Sequence, residues 1–269
     1  MKHKVYASDL NGYAFCPRTI YLSRVLKLGK KPTKERYRGI IEHTLRKELS
    51  FRYSRILKRV SEPLELRESI DRELDSTLQG FPFIYRELIN QSPEDVDYNA
   101  LLPELVAGLH EETAALHRKL EFMVKEAGLK KAIEEVTSWR IDYMVESKGL
   151  GISGKIDKVL QRNNEYIPVE VKTGRVPFSV WWGDRLQVTA YSMLLEEELD
   201  SVDILFSIVE YTAALERRPV KTTERLRRAV LETRDDIIGI LEGFVPEVCC
   251  HGNKNKCRAC SFRTECYSI

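Results

Sequence analysis

The chain of 269 residues predicts a mixed α/β (α+β) domain in which helices flank a central mixed sheet. Three observations predict it. The first half carries helical apolar spacing, short β-branched segments begin near residue 132, and helical spacing returns after Gly174. No internal repeat and no low-complexity linker divides the chain.

Residues 33–59 read as a helix because Ile41, Leu45, Leu49 and Ile56 form one apolar stripe among polar neighbours. Helical pieces near 63–79 and 100–128 follow, broken by Gly-Phe-Pro-Phe at 80–83 and Ser-Pro-Glu-Asp at 92–95. Segments 136–143, 151–160 and 166–173 are short and partly alternating, and Arg-Asn-Asn at 162–164 makes a turn, so an antiparallel meander is expected. Then come a helix near 182–199, strands near 202–211 and 214–221, and a helix near 223–242 with a threonine cap. A cysteine-rich tail fills 249–269. The expected organisation is an N-terminal segment with the first core helix (1–60), an acidic helical insertion (61–131), the main core (132–245) and a cysteine module (246–269).

Composition is that of an ordinary water-soluble chain, 43% apolar and 31% charged. No window approaches the roughly 18 uninterrupted apolar residues of a membrane span. The start, MKHKVYASDL, has no apolar run like a signal peptide. A cytoplasmic protein is therefore expected, and its clustered cysteines suggest metal or catalysis before disulfides. The net charge of +2 hides an uneven distribution: +12 over residues 1–60, −9 over 61–135 and −1 over 136–269. A basic part beside an acidic one suits a polyanion groove, and equally suits charged helices facing water.

Asp157, in Gly-Lys-Ile-Asp, is followed by Glu170 and Lys172 in Val-Glu-Val-Lys. Strand alternation puts Glu170 and Lys172 on one face and Val169 and Val171 on the other. A neighbouring strand brings Asp157 alongside, so two carboxylates can hold a hard divalent cation, which polarises a phosphodiester and lowers the pKa of a bound water. Lys172 then holds the attacking water or neutralises phosphate charge. The Glu-x-Lys tripeptide alone is more often a surface strand with an incidental ion pair. His43, about 200° around the first helix from Ile41, faces away from the apolar stripe with Gly39 one turn before it. A surface histidine is the bland reading; with the carboxylates, its imidazole completes a metal's coordination. Gln187 and Tyr191, at i and i+4 beside Leu186, Ala190, Met193 and Leu194, suit hydrogen bonds to the lysine or a DNA phosphate, or a buried structural pair. Trp181 and Trp182 suit base stacking or a core role.

Cys257, Cys260 and Cys266 have the spacing C-x2-C-x5-C, a chelating pattern for zinc or an iron–sulfur cluster. The fourth ligand is open among Cys16, Cys249, Cys250 and His251. Joining Cys16 to the triplet would pin the two ends of the chain together.

Taken in order, Phe-Cys-Pro-Arg (15–18), Gly-Ile-Ile-Glu-His (39–43), Gly-Lys-Ile-Asp (154–157), Val-Glu-Val-Lys (169–172), Gln-Val-Thr-Ala-Tyr (187–191) and the cysteine tail resemble the CRISPR-associated Cas-four nucleases, relatives of the RecB-type PD-(D/E)xK domain. The resemblance spans residues 13–54 and about 136–267. It implies a RecB-like, restriction-endonuclease-type core, with His43, Asp157 and Glu170 as ligands of manganese or magnesium and Lys172 as the catalytic lysine. It further implies Gln187 and Tyr191 as the accessory motif, and Cys16, Cys257, Cys260 and Cys266 as ligands of an iron–sulfur cluster, normally 4Fe–4S. The implied activity is cleavage of single-stranded or overhanging DNA, exonucleolytic and in some members endonucleolytic. The implied partners are DNA and the CRISPR adaptation integrase, in processing new spacers before integration. A RecB-like repair nuclease outside CRISPR and a catalytically weak DNA-end binding subunit are the alternatives. Two features depart from the simplest pattern, the long acidic insertion and the vicinal Cys249–Cys250 pair.

Overall fold

A computed structural model describes residues 3–29, 33–60, 65–93, 96–162, 165–174, 176–200 and 203–269. The chain opens with a short strand β1 (Val5–Tyr6) and helices α1 (Ala7–Phe15) and α2 (Pro17–Ile20), the latter running into a π-helical turn at Tyr21–Val25. Proline stands at the first position of α2, where its missing N–H costs nothing. A helical region follows: α3 (Lys34–Phe51), α4 (Tyr53–Lys58), α5 (Glu65–Ile84), α6 (Arg86–Asn90), α7 (Tyr98–Ala127) and α8 (Leu129–Val136).

Three boundaries differ from the sequence expectation; one is the onset of β-structure, expected near residue 132, where α8 continues to Val136 on buried Ala132 and Val136 and β2 begins at Ser138. The first helix is divided at Arg52, whose guanidinium turns to Glu73 and Ser76. Arg52, Arg55 and Arg59 all converge on Glu73, which is fully buried, so the break lets three cations neutralise one interior carboxylate. The expected break at 80–83 is absent, because α5 runs through Pro82 to Ile84. Phe81 is buried and packs on Tyr85 and Tyr98, which holds the last turn in place around the proline. Parts of the other two turn expectations, residues 94–95 and 163–164, lie outside the described residues.

The meander forms as expected: β2 (Ser138–Ser147), β3 (Ile152–Arg162) and β4 (Glu165–Lys172) are successively antiparallel. Helix α9 (Trp182–Glu198) then crosses over to β5 (Phe206–Tyr211), which pairs parallel with β4, and β6 (Glu216–Lys221) closes that edge. Helix α10 (Glu224–Leu241) starts at Thr223, whose side chain accepts from Leu226 N. The tail holds two short helices, α11 (Lys254–Ala259) and α12 (Arg263–Ser268). The result is a mixed six-stranded sheet with helices about it.

Apolar side chains gather in two main places. Ile152, Ile156, Val159, Leu186, Leu194, Val209, Val230 and Ile237 join the sheet to α1, α9 and α10. Ile41, Leu45, Leu49, Ile56, Ile70, Leu74, Leu105 and Leu116 bind α3 and α4 to α5 and α7. The long side chain of Lys158 lies between them, with Nζ 2.5 Å from Glu210 and 3.2 Å from the Ser50 carbonyl.

Pairing along β3 positions the functional region. Strand β2 covers one edge of it, whereas the other edge takes β1 at Ile152–Ser153 and β4 only from Lys158 onward. Residues 154–157 thus face a gap between β1 and β4.

Candidate active site and cysteine pocket

Asp157 stands where β4 peels away from β3. The last paired residues are Lys158 and Val169, and beyond them the Asp157 carboxylate replaces the lost ladder bond, accepting from Val171 N at 2.8 Å. That contact seats Asp157 beside Glu170 at the mouth of a cavity of about 290 Å³, lined also by Tyr6, Ser8, Lys155, Gln187 and Tyr191. Alternation works as expected on β4: Val169 and Val171 are fully buried, while Glu170 and Lys172 reach the site.

Lys172 Nζ lies 3.0 Å from Glu170 and 3.0 Å from Asp184. Against the cost of burial, those two carboxylates hold the ammonium above its ordinary pKa. Burial drives Glu170 upward, Lys172 pulls it back, and the neighbouring negative charge of Asp157 adds to the rise. A cation bound beside Glu170 would offset that cost of burial.

Gln187 and Tyr191 are both buried and act on the carboxylate rather than on the lysine. Gln187 Nε2 donates to the Tyr191 hydroxyl at 2.8 Å, and that hydroxyl lies 3.1 Å from both Glu170 Oε2 and the Lys155 carbonyl. Gly154 makes this approach feasible, since a Cβ there would stand 2.8 Å from the Tyr191 ring.

His43 is partly buried on α3, with Nδ1 3.0 Å from Thr173 Oγ1, so Nε2 is the ring nitrogen left for a cation. Burial keeps the imidazole below its ordinary pKa, hence neutral and able to ligate, although Asp157 pulls the other way. The donors Asp157, Glu170 and His43 have the chemistry a hard divalent cation takes. Among the described residues no three His, Cys, Asp or Glu side chains converge as a ready metal group. Two ammonium groups stand among these carboxylates instead, Lys172 and Lys47.

Four participants carried no motif signal in the sequence. Lys47, one turn after His43, sits 2.6 Å from Asp157 and 2.7 Å from Asp142. Asp184, three residues before Gln187, takes Lys172 and also accepts from Asn11 Nδ2 at 2.6 Å. Asn11 donates as well to Gln187 Oε1 at 3.1 Å. Helical spacing from His43 and Gln187 was the one local signal that pointed to Lys47 and Asp184.

The sulfur-bearing residues meet at a second place. Cys16, Cys249, His251, Cys257, Cys260 and Cys266 line one small pocket, and Cys250 is exposed. Burial pushes the Cys16 thiol up to about 11. Cys249 and Cys257 approach most closely, with sulfurs 2.9 Å apart, and Cys257 Sγ is 3.9 Å from His251 Nε2. The ends of the chain are tied here by Lys256 Nζ on the Ala14 and Phe15 carbonyls and by Arg18 on the Pro246 carbonyl. Thiolates are the ligands that soft metals and iron–sulfur clusters take, although among the described residues no three of these side chains converge as a ready metal group either. The aromatic pair upstream of Gln187 is outside the core: Trp181 and Trp182 are exposed, and Phe178 is fully so.

The family model described as the PD-(D/E)XK nuclease superfamily matches residues 6–267. Among curated relatives, a CRISPR-associated exonuclease Cas4/endonuclease Cas1 fusion of Leptospira interrogans is 32% identical over 139 residues, covering 49% of this chain and 25% of that protein. An uncharacterized protein of Archaeoglobus fulgidus is 24% identical over 131 residues, covering 49% of this chain and 57% of its own. The chain thus matches a quarter to a little over half the length of these relatives. The crystal structure of SSO0001 aligns with 70% of this chain and 78% of its own at 15% identity and a TM-score of 0.32, too loose a likeness to bear on fold or chemistry.

Proposed function

The chain belongs to the PD-(D/E)XK nuclease superfamily, and from that footing we propose that it is a metal-dependent deoxyribonuclease of the Cas4 type, trimming single-stranded DNA ends before they are integrated as new spacers. The observation that carries the nuclease reading is the gathering of Asp157 and Glu170 at one cavity mouth, with Lys172 ion-paired to Glu170 and with Gln187 and Tyr191 behind them. Asp157, Glu170 and His43 are the proposed holders of manganese or magnesium. Such a cation supplies Lewis-acid polarisation of the phosphodiester and a water of lowered pKa.

The chain's own side chains do the rest. Tyr191 and Gln187 fix Glu170 in one orientation, and Asp184 aims Lys172, whose charge neutralises the phosphate as negative charge builds on its oxygens. Single-stranded substrate is supported by the exposed rings of Phe178 and Trp181, between β4 and α9 in sequence, and of Trp182 at the start of α9. Stacking on such rings requires unpaired bases. The Cas1 half of the Leptospira relative supports the integrase as partner, and the pocket of Cys16, Cys257, Cys260 and Cys266 is the proposed seat of a 4Fe–4S cluster.

Anaerobic purification with iron and zinc counts, followed by manganese-dependent cleavage of labelled single-stranded and duplex DNA, tests the reading. Asp157→Ala, Glu170→Ala and Lys172→Ala are each expected to abolish cleavage and retain the fold and the iron. Parent-rate cleavage by Glu170→Ala, free of contaminating nuclease, would leave a DNA-end binding subunit as the better account. Stoichiometric zinc without iron would replace the cluster by a structural zinc.

A further inference from the structure

The geometry points to Lys47 as a resident cation of the active site, one that a divalent metal must displace from Asp157 and that Asp142 then retains. The proposal rests on the reading of Asp157 as a metal ligand, and concerns what governs access to it.

The side chain of Lys47 is mostly buried, and its ammonium bridges two carboxylates at hydrogen-bond distance: Asp157 Oδ1 at 2.6 Å and Asp142 Oδ1 at 2.7 Å. Of the two Asp157 oxygens, Oδ2 is committed to Val171 N, so Oδ1 is the oxygen a cation would take, and Lys47 already holds it. An ammonium and a divalent ion cannot share that oxygen without strong repulsion at this depth. Lys47 has a second acceptor to fall back on. Asp142 lies on the neighbouring strand β2, is more exposed than Asp157, and faces Lys155 at 3.3 Å as well. Rotation of a flexible four-carbon stem moves the ammonium from a shared position to Asp142 alone, without unfolding a helix turn.

The arrangement has a functional consequence. With no metal bound, Lys47 pairs with Asp157 and Lys172 with Glu170. With metal bound, the displaced ammonium stays on Asp142 of β2 and keeps a positive charge close to Asp157. Metal affinity of the empty site is thereby held down, and a DNA phosphate beside the displaced ammonium would offset the repulsion between the two cations. Metal and DNA are expected to bind cooperatively through this one side chain.

Calorimetric titration with Mn²⁺ on the intact protein, at low ionic strength and neutral pH, tests the proposal with opposed variants. Lys47→Met removes the competitor and is expected to tighten Mn²⁺ binding about tenfold or more. Asp142→Asn removes the second acceptor, leaves Lys47 on Asp157 alone, and is expected to weaken binding severalfold. Lys47→Arg keeps the charge and stays close to the parent. Local damage to packing would weaken binding in both of the first two variants, so opposite signs separate the proposal from a structural effect. Circular dichroism and melting temperature confirm that each variant is folded. Unchanged or weaker binding by folded Lys47→Met overturns the resident-cation role while leaving the metal site standing. No Mn²⁺ binding by the parent, by Glu170→Ala or by folded Lys47→Met overturns the metal reading and this role together.

Discussion

Gly154→Ala tests how tightly the accessory tyrosine is seated. A Cβ at that position would lie 2.8 Å from Tyr191 Cε1, 3.2 Å from Cδ1 and 3.2 Å from the Ala7 methyl. Carbon atoms rest at about 3.5–4.0 Å, so the ring must retreat by roughly 0.7 Å or more. It has little room to do so, being 3% exposed and held at its hydroxyl by Gln187, Glu170 and the Lys155 carbonyl. Overpacking of this sort costs about 1–3 kcal/mol of stability. The same retreat stretches the 3.1 Å contact with Glu170 beyond hydrogen-bonding range, and a hydrogen bond to a charged group contributes about 1.5–3 kcal/mol. If that contact orients Glu170 in the transition state, kcat/KM falls by about 10- to 100-fold. Single-turnover cleavage and thermal melting measure the two effects separately. Tyr191→Phe removes the hydroxyl without the clash, so it should share the kinetic loss, and Gly154→Ala should add little to it in the double variant. Parent values of both kcat/KM and melting temperature in Gly154→Ala would refute the reasoning.

Two further outcomes follow from the interior and from the cysteine pocket. Burial alone would raise Glu210, but Lys158 and Arg217, at 2.5 and 2.8 Å, hold its carboxyl below the ordinary value. Its stabilising contribution is therefore complete above the usual carboxylate range and is lost as pH falls through the depressed value. In urea unfolding, the gap between parent and Glu210→Gln should accordingly close in acid, and Lys158→Met should cost about 3 kcal/mol at pH 7 by stripping a buried carboxylate of one partner. Cys16→Ser is expected to lower both melting temperature and bound iron, whereas Cys250→Ser, altering an exposed side chain, should retain both; equal retention in the two variants would remove Cys16 from the ligand set.

What could be read from the sequence was local in character. Strand alternation placed Glu170 and Lys172 on one face of β4, helical spacing paired Gln187 with Tyr191, and Thr223 announced α10. The charged partners of these residues come from far along the chain. Lys47 meets Asp142 across 95 residues, and Asn11 meets Asp184 across 173, so no local pattern reveals the pairings. Lys158 is a further case: on a strand beside Asp157 it reads as an outward lysine, yet the helical layer of α3 and α4 covers it and Glu210 supplies its countercharge. Pro82 misled for a related reason, because burial of Phe81 outweighs the one backbone bond that the proline removes.

The long-range contacts also bear on why the two ends of the chain belong to one machine. Helix α1 is only nine residues long, yet it reaches both sites. Asn11 in its middle binds Asp184 and Gln187, and Cys16 at its end lines the cysteine pocket. From the tail, Lys256 donates to the carbonyls of Ala14 and Phe15, groups that a helix end leaves without partners. On its other side α1 lies against α9 with no slack, since a Cβ on Gly183 would meet Asn11 Oδ1 at 2.7 Å and its Cα at 3.0 Å. Contacts thus run from Cys16 along the helix to Asn11, from Asn11 to Asp184, and from Asp184 to the ammonium of Lys172 at 3.0 Å. Misplacing a catalytic group by about 1 Å costs roughly a hundredfold in rate. On the proposed role of Lys172, the tail module, far from the carboxylates in sequence, acts on the reaction by fixing the helix against which the lysine's carboxylate partner is set.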